Sequence, residues 1–259
     1  MLRSARAQGQ AMTTVAVAGG TGLVGRMVVE RLHAAGHVPV ILARSRGIDV
    51  RTGAGLDDAL ARASAIVDVT NVTTNSRRKA LAFFGAGTRN LLRAAERAGV
   101  GHHVLLSIVG CDRVQFGYYE GKRRQEELAL AGPVPATVLR STQFHEFPAQ
   151  LLARVPGPLA LAPRMRSQTV AASEVADELV RLAVGPAVGF APDLAGPEVH
   201  EMPVLVRQVL RARGSRRLAV PLRIPGAAGK AMATGALLPT GDGPRGRVTF
   251  AEWLAATYG

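Results

Sequence analysis

Apolar positions along this chain fall into two alternating patterns. Short runs of strand type occur at 15–18, 38–43, 65–69, 103–107 and 136–140, with a further short strand expected near 47–50. Between them apolar residues recur at helical spacing. Leu23, Met27, Val28 and Leu32 follow the first strand, and a brief helix is read at 55–60. Ser76 is placed to cap a long helix carrying Leu81, Phe84, Leu91, Leu92 and Ala95. Residues 118–131 form another helix, stopped by Gly132-Pro133. Each crossover helix must bury its apolar stripe on a sheet. The alternation therefore predicts an α/β fold with a doubly wound parallel sheet, and ligands outside the carboxyl ends of its strands.

After about residue 156 the pattern loosens around Pro156, Pro158 and Pro163. Helices are expected at 173–184, 202–212, 226–236 and 249–258, with short strands between them. The reading is a disordered leader at 1–12, a doubly wound α/β domain at 13–156, and a small C-terminal lobe at 157–259 packed on it. The polar, Arg/Ala-rich start of the chain lacks the apolar segment of a secretory signal.

Composition narrows the function. Hydrophobic residues make up 47% of 259 and charged residues 20%, enough for a sizeable core and too few charges for disorder. Cys111 is the only cysteine, which excludes a disulfide framework or a cysteine metal cluster and suits a reducing cytoplasm. The net charge of +13 raises nucleic acid as a partner. However, Lys79, Lys122 and Lys230 are the only lysines, the arginines are scattered, and aromatics are 4%, leaving few stacking platforms. No apolar run is long enough to cross a bilayer. A small-molecule substrate is expected, with no nucleic-acid or membrane partner, and a monomeric or homodimeric state.

The glycines at 19, 22 and 25 lie where the first strand turns into the first helix. Gly19 lets the chain leave the strand sharply. Gly22, without a Cβ, lets a pyrophosphate approach the backbone, and Gly25 lets the helix pack closely. Thr21, Leu23 and Val24 complete this loop, whose free N–H groups and helix dipole favour an anion. The reading of 13–156 is therefore a dinucleotide-binding Rossmann domain, with 157–259 as its substrate lobe. After the second strand stand Arg44, Ser45 and Arg46 where an NAD-binding chain would carry an acid. A guanidinium there can hold a 2′-phosphate, which points to NADP. Val69, Thr70 and Asn71 follow the fourth strand and should line the cofactor. Gln143 and Phe144 follow the sixth, beside the expected nicotinamide.

Three further residues suit proton transfer. Ser107 ends the fifth strand, while Tyr118 and Lys122 share a helix face at i, i+4 spacing. A nearby ammonium would lower the tyrosine pKa and let the phenol exchange a proton with a substrate oxygen. Ser107 could hold that same oxygen. Tyr119 becomes the inward tyrosine if the helix starts later. His102 and His103 read as structural, and Cys111 has no adjacent nucleophile motif.

Gly19-Gly-Thr-Gly-Leu-Val-Gly25, Leu106-Ser107, Tyr118-Tyr-Glu-Gly-Lys122 and Val138-Leu-Arg-Ser-Thr-Gln-Phe144 resemble the short-chain dehydrogenase/reductase superfamily. More narrowly, they resemble its atypical NmrA-like and NAD(P)H-binding branch. The resemblance runs from about residue 15 to 147 and continues more faintly into the C-terminal lobe. It implies catalytic roles for Ser107, Tyr118 and Lys122, with Asn90 as the candidate for the asparagine that often joins them. It also implies either NADPH-dependent reduction of quinones and other carbonyls, or dinucleotide sensing without turnover.

Overall fold

The computed structural model describes residues 12–154 and 156–259. The leader expected at 1–12 thus lies, apart from the exposed Met12, outside the described residues. The first half of the chain runs β1 (Thr14–Ala18), α1 (Leu23–Ala34), β2 (Val38–Leu42), α2 (Leu56–Leu60), β3 (Ala65–Asp68), α3 (Arg77–Arg97), β4 (His102–Ile108), α4 (Gly117–Leu130) and β5 (Ala136–Ser141). There follow α5 (Phe147–Arg154), β6 (Leu159–Pro163), β7 (Arg166–Ser167), α6 (Ala172–Ala183) and β8 (Gly189–Phe190). The chain ends with β9 (His200–Glu201), α7 (Met202–Ala212), β10 (Leu218–Leu222), α8 (Gly226–Ala233) and α9 (Phe250–Tyr258).

The main sheet has the order β2-β1-β3-β4-β5-β8, and every pairing in it is parallel. Its period of two divides β1 between two cores. Val15 and Val17 face α1 and α6, together with Val28, Leu32, Val175 and Leu179. Ala16 and Ala18 face the opposite layer, with Leu91 and Leu92 of α3. Both faces of the strand are dry, so the sheet is doubly wound as predicted. Each fully buried leucine or valine contributes about 1.5–3 kcal/mol.

One strand expectation changes. Residues 47–50 form no sheet strand; a single 3-10 turn at Arg44–Arg46 leads into a tight reversal closed by one bridge, Asp49 to Ala54. The Asp49 carboxylate accepts the Arg51 N–H at 2.8 Å, and Gly53 sits at φ 84°, so the chain doubles back instead of extending. The sheet therefore ends at β2. Its other edge is β8, one of the short strands expected between the later helices.

Not all of 157–259 stands in the lobe, because α6 packs on α1 and β8 completes the main sheet. The lobe itself combines the parallel pair β6–β10 and the antiparallel pair β7–β9 with α5, α7, α8 and α9. Its core includes Met165, Met202, Leu205, Leu237 and Phe250. Among the described residues no helix is long and apolar enough to cross a membrane.

Candidate active site

The glycine turn sits at the carboxyl end of β1. Gly19 adopts φ 83°, and its N–H donates to Leu42 O at 3.2 Å. A Cβ on Gly25 would stand 2.2 Å from Gly19 O and 2.7 Å from Gly20 Cα, so α1 rests directly on the turn. Gly22 is the N-cap of α1, and a Cβ there would meet only Gly19 O, at 3.3 Å. No side chain caps this helix and no acid lies in its first turn. A bare positive helix end thus lies beside open space, the arrangement a pyrophosphate needs. Thr21 is exposed. Leu23 and Val24 turn their side chains into the core, so they can serve an anion only through their N–H groups.

Arg44, Ser45 and Arg46 are all exposed just beyond β2. Neither guanidinium donates a hydrogen bond to another described residue. The first acid after the strand is Asp49. The Arg51 N–H, helped by the Arg51 and Arg44 charges, holds its carboxyl below the ordinary range.

The loop after β3 closes on the glycine turn. Val69 N–H donates to Ala18 O at 3.0 Å, and a Cβ on Gly19 would lie 3.1 Å from the Val69 carbonyl. Asp68, 1% exposed, accepts from Thr70 N at 2.9 Å and Thr70 Oγ1 at 2.6 Å. The Tyr118 hydroxyl then donates to Asn71 Oδ1 at 2.8 Å. The sequence permits this approach because a Cβ on Gly121 would sit 2.8 Å from both Ala80 Cβ and Phe84 Cδ2, so only glycine lets α4 lie this close to α3. The glycine turn, the loop after β3 and Tyr118 form one connected surface.

The expected effect of Lys122 on Tyr118 is not seen. Burial pushes the Tyr118 phenol up to about 12, with the Asn71 bond opposing it. Lys122 turns inward instead. Its Nζ donates to Leu106 O at 2.7 Å and Gln125 Oε1 at 2.6 Å, and lies 4.9 Å from the Phe84 ring centroid. Spacing of i, i+4 fixes a shared face but not the direction of a long stem. Burial presses the lysine below its ordinary pKa.

Ser107 is also turned in. It is 1% exposed, and its Oγ stands 3.9 Å from Cys111 Sγ. Among the described residues no hydrogen bond joins it to Tyr118. Cys111 faces Glu126 Oε1 at 3.4 Å; burial and that carboxylate push its thiol up to about 12. Glu126 in turn holds Arg140 at 2.9 and 2.6 Å. Tyr119 packs between Phe116 and Tyr118 against the lobe core, and burial raises its phenol further, so it is a packing residue.

Gln143 Oε1 accepts from Ser167 Oγ at 2.8 Å, while its buried Nε2 has no partner among the described residues. Phe144 is half-buried, bridges Val170 and packs on the main core. Asn90 does not join Tyr118. Its Nδ2 donates to Val50 O at 3.1 Å and Arg51 O at 2.8 Å, pinning the reversal after β2. Sequence reasoning missed Asp68 and Gln125, which meet at 2.9 Å inside the fold. The available signal was a carboxylate in an otherwise apolar strand.

The residues present fit a nicotinamide dinucleotide. Gly22 leaves a cradle that a side chain would occupy; among the described residues Arg44 and Arg46 donate no hydrogen bond to another residue, and the buried Gln143 Nε2 beyond β5 has no partner. Residues 19–186 match the family described as NAD(P)H-binding. No curated protein matches the chain in sequence. Among solved structures, an NADPH-dependent quinone oxidoreductase from Escherichia coli aligns with a TM-score of 0.66 at 16% identity, covering 95% of this chain and 100% of the other. An NAD-dependent NDP-hexosamine 5,6-dehydratase of tunicamycin biosynthesis gives 0.71 at 15%, over 95% and 96%. UDP-glucose 4-epimerase from Thermus thermophilus, complexed with NAD, gives 0.64 at 17%, over 95% and 93%. At these identities the likeness is one of fold.

Proposed function

Because the chain belongs to the NAD(P)H-binding family, we propose that it is an NADP-dependent oxidoreductase of the atypical short-chain type, reducing a small carbonyl or quinone or oxidising the matching alcohol. The observation that carries this reading is the position of Tyr118. A half-buried phenol is bonded at 2.8 Å to Asn71, on the loop that abuts the glycine turn.

When bound, the nicotinamide supplies or takes up the hydride. Tyr118 handles the proton. Its single O–H, donated to Asn71 here, would turn to a substrate oxygen and give up its proton in reduction, or take one back in oxidation. Lys122 has three N–H donors and spends two on Leu106 and Gln125, leaving one for ribose hydroxyls. Arg44, Ser45 and Arg46 would hold the 2′-phosphate, and Gln143 Nε2 would meet the nicotinamide end. The substrate class agrees with the activity named for the Escherichia coli fold neighbour. We place the enzyme in the cytoplasm, as a monomer or homodimer.

A second reading, a dinucleotide-binding redox sensor without turnover, is favoured by the inward hydrogen bonds of Lys122 and the burial of Ser107. A quinone and carbonyl panel followed by nicotinamide absorbance separates the two. Turnover should appear on at least one compound and fall roughly 10²–10⁴-fold in Tyr118→Phe, with NADPH still bound. Tight NADPH binding with no turnover on any compound would assign the protein to sensing.

A further inference from the structure

Beneath the candidate site runs a buried polar chain. Lys122, 4% exposed, has no carboxylate in direct contact among the described residues. Its Nζ meets Gln125 Oε1 at 2.6 Å, and the other end of that amide, Nε2, donates to Asp68 Oδ2 at 2.9 Å. Gln125 is 1% exposed, as is Asp68. The amide is oriented by both neighbours: its oxygen can only face the ammonium and its N–H₂ the carboxylate. The second oxygen of Asp68 is committed to Thr70, and His103 Nε2 stands 3.8 Å from the first. Two opposite charges removed from water are thus joined by a neutral bridge, and each would be costly alone.

Resting on the cofactor reading above, we propose that Asp68 is a positioning residue for Lys122. Acting through the Gln125 amide, it serves as the counter-ion that keeps the ammonium at the dinucleotide site. Because the same carboxylate holds Thr70, it also fixes that ammonium relative to the cofactor-lining loop.

The bridge can be reversed without changing its charge. Asp68→Asn removes the anion but still accepts from Thr70 through its amide oxygen. Gln125→Glu alone brings two carboxylates together. Combined, the new amide N–H donates to the new carboxylate, which accepts from Lys122 directly. Two readouts apply to the purified full chain: the urea midpoint and the NADPH dissociation constant by fluorescence titration.

Each single variant should weaken NADPH binding about tenfold and lower the midpoint. The double variant should return both to within about twofold of wild type. In a Lys122→Met background, Asp68→Asn should cost no further NADPH affinity. A double variant no better than the singles would overturn the counter-ion. Midpoints that follow the pattern while NADPH affinity ignores Asp68→Asn would overturn the positioning role and leave a structural pair. If wild type fails to bind NADPH, the cofactor reading falls and the positioning role with it; the midpoints then judge the ion pair alone.

Discussion

Two alanines placed three residues apart in the glycine turn should have opposite consequences. Gly22 has φ −77° and ψ 178°, a conformation alanine adopts freely, and its new methyl would meet only Gly19 O at 3.3 Å. Replacing glycine by alanine at an N-cap costs up to about 1 kcal/mol, or about 2–4 °C of melting temperature for a chain of this size. The methyl would, however, occupy the pyrophosphate path. Losing one charge-assisted bond there, at about 1.5–3 kcal/mol, weakens NADPH roughly ten- to a hundredfold. Gly25→Ala places its methyl 2.2 Å from Gly19 O and 2.7 Å from Gly20 Cα, and backbone must move to admit it. That should cost about 3 kcal/mol or more and lower the melting temperature by at least about 6 °C. Thermal melts paired with NADPH fluorescence titrations measure both effects. Wild-type affinity in Gly22→Ala would refute the anion site at α1, and a wild-type melt in Gly25→Ala would refute the packing argument.

Arg44→Ala should weaken NADPH by about 1.5–3 kcal/mol while leaving NADH unchanged; equal losses in parallel titrations would remove Arg44 from 2′-phosphate recognition. Arg140→Met strands the Glu126 carboxylate, whose side chain is 5% exposed, and should cost about 3–5 kcal/mol in urea unfolding. An unchanged midpoint would mean that the pair is effectively hydrated. Cys111 holds its proton to about 12 in the folded chain, whereas the unfolded thiol releases it near 9.0. The folded state binds more protons across that window, so stability falls as pH rises through it, by up to about 1.4 kcal/mol per pH unit. Urea midpoints at about pH 8 and about pH 10 should therefore diverge less in Cys111→Ala than in wild type, and parallel profiles would contradict the assigned burial effect.

The parts of the fold that were legible are those encoded locally. Strand and helix periods, the Ser76 cap, which accepts the Lys79 N–H, and the glycine turn each depend on residues within a few positions of one another. The stretch 47–50 misled because its apolar character is independent of the Asp49 carboxylate that folds it back. At the site, spacing placed Tyr118 and Lys122 on one helix but not the course of the lysine stem, which depends on a carbonyl 16 positions away. Asp68 and Gln125 are 57 positions apart, and nothing short of the folded sheet brings them together. Asn90, chosen by residue type and helix, is committed to backbone carbonyls about 40 positions upstream.

The late return of the chain to the main sheet governs the order in which the molecule can be assembled. Synthesis leaves β5 at residue 141, passes through α5, β6 and β7, and only then supplies α6 and β8. Until about residue 190 has emerged, β5 is an open edge and the apolar stripe of α1 that meets α6 is bare. A fragment ending near 156 would carry the whole glycine turn yet lack half of one covering layer. The half that carries the glycine turn is therefore not a separable module: its last strand is delivered only after the lobe has begun, so the main sheet cannot be completed until both regions have been made.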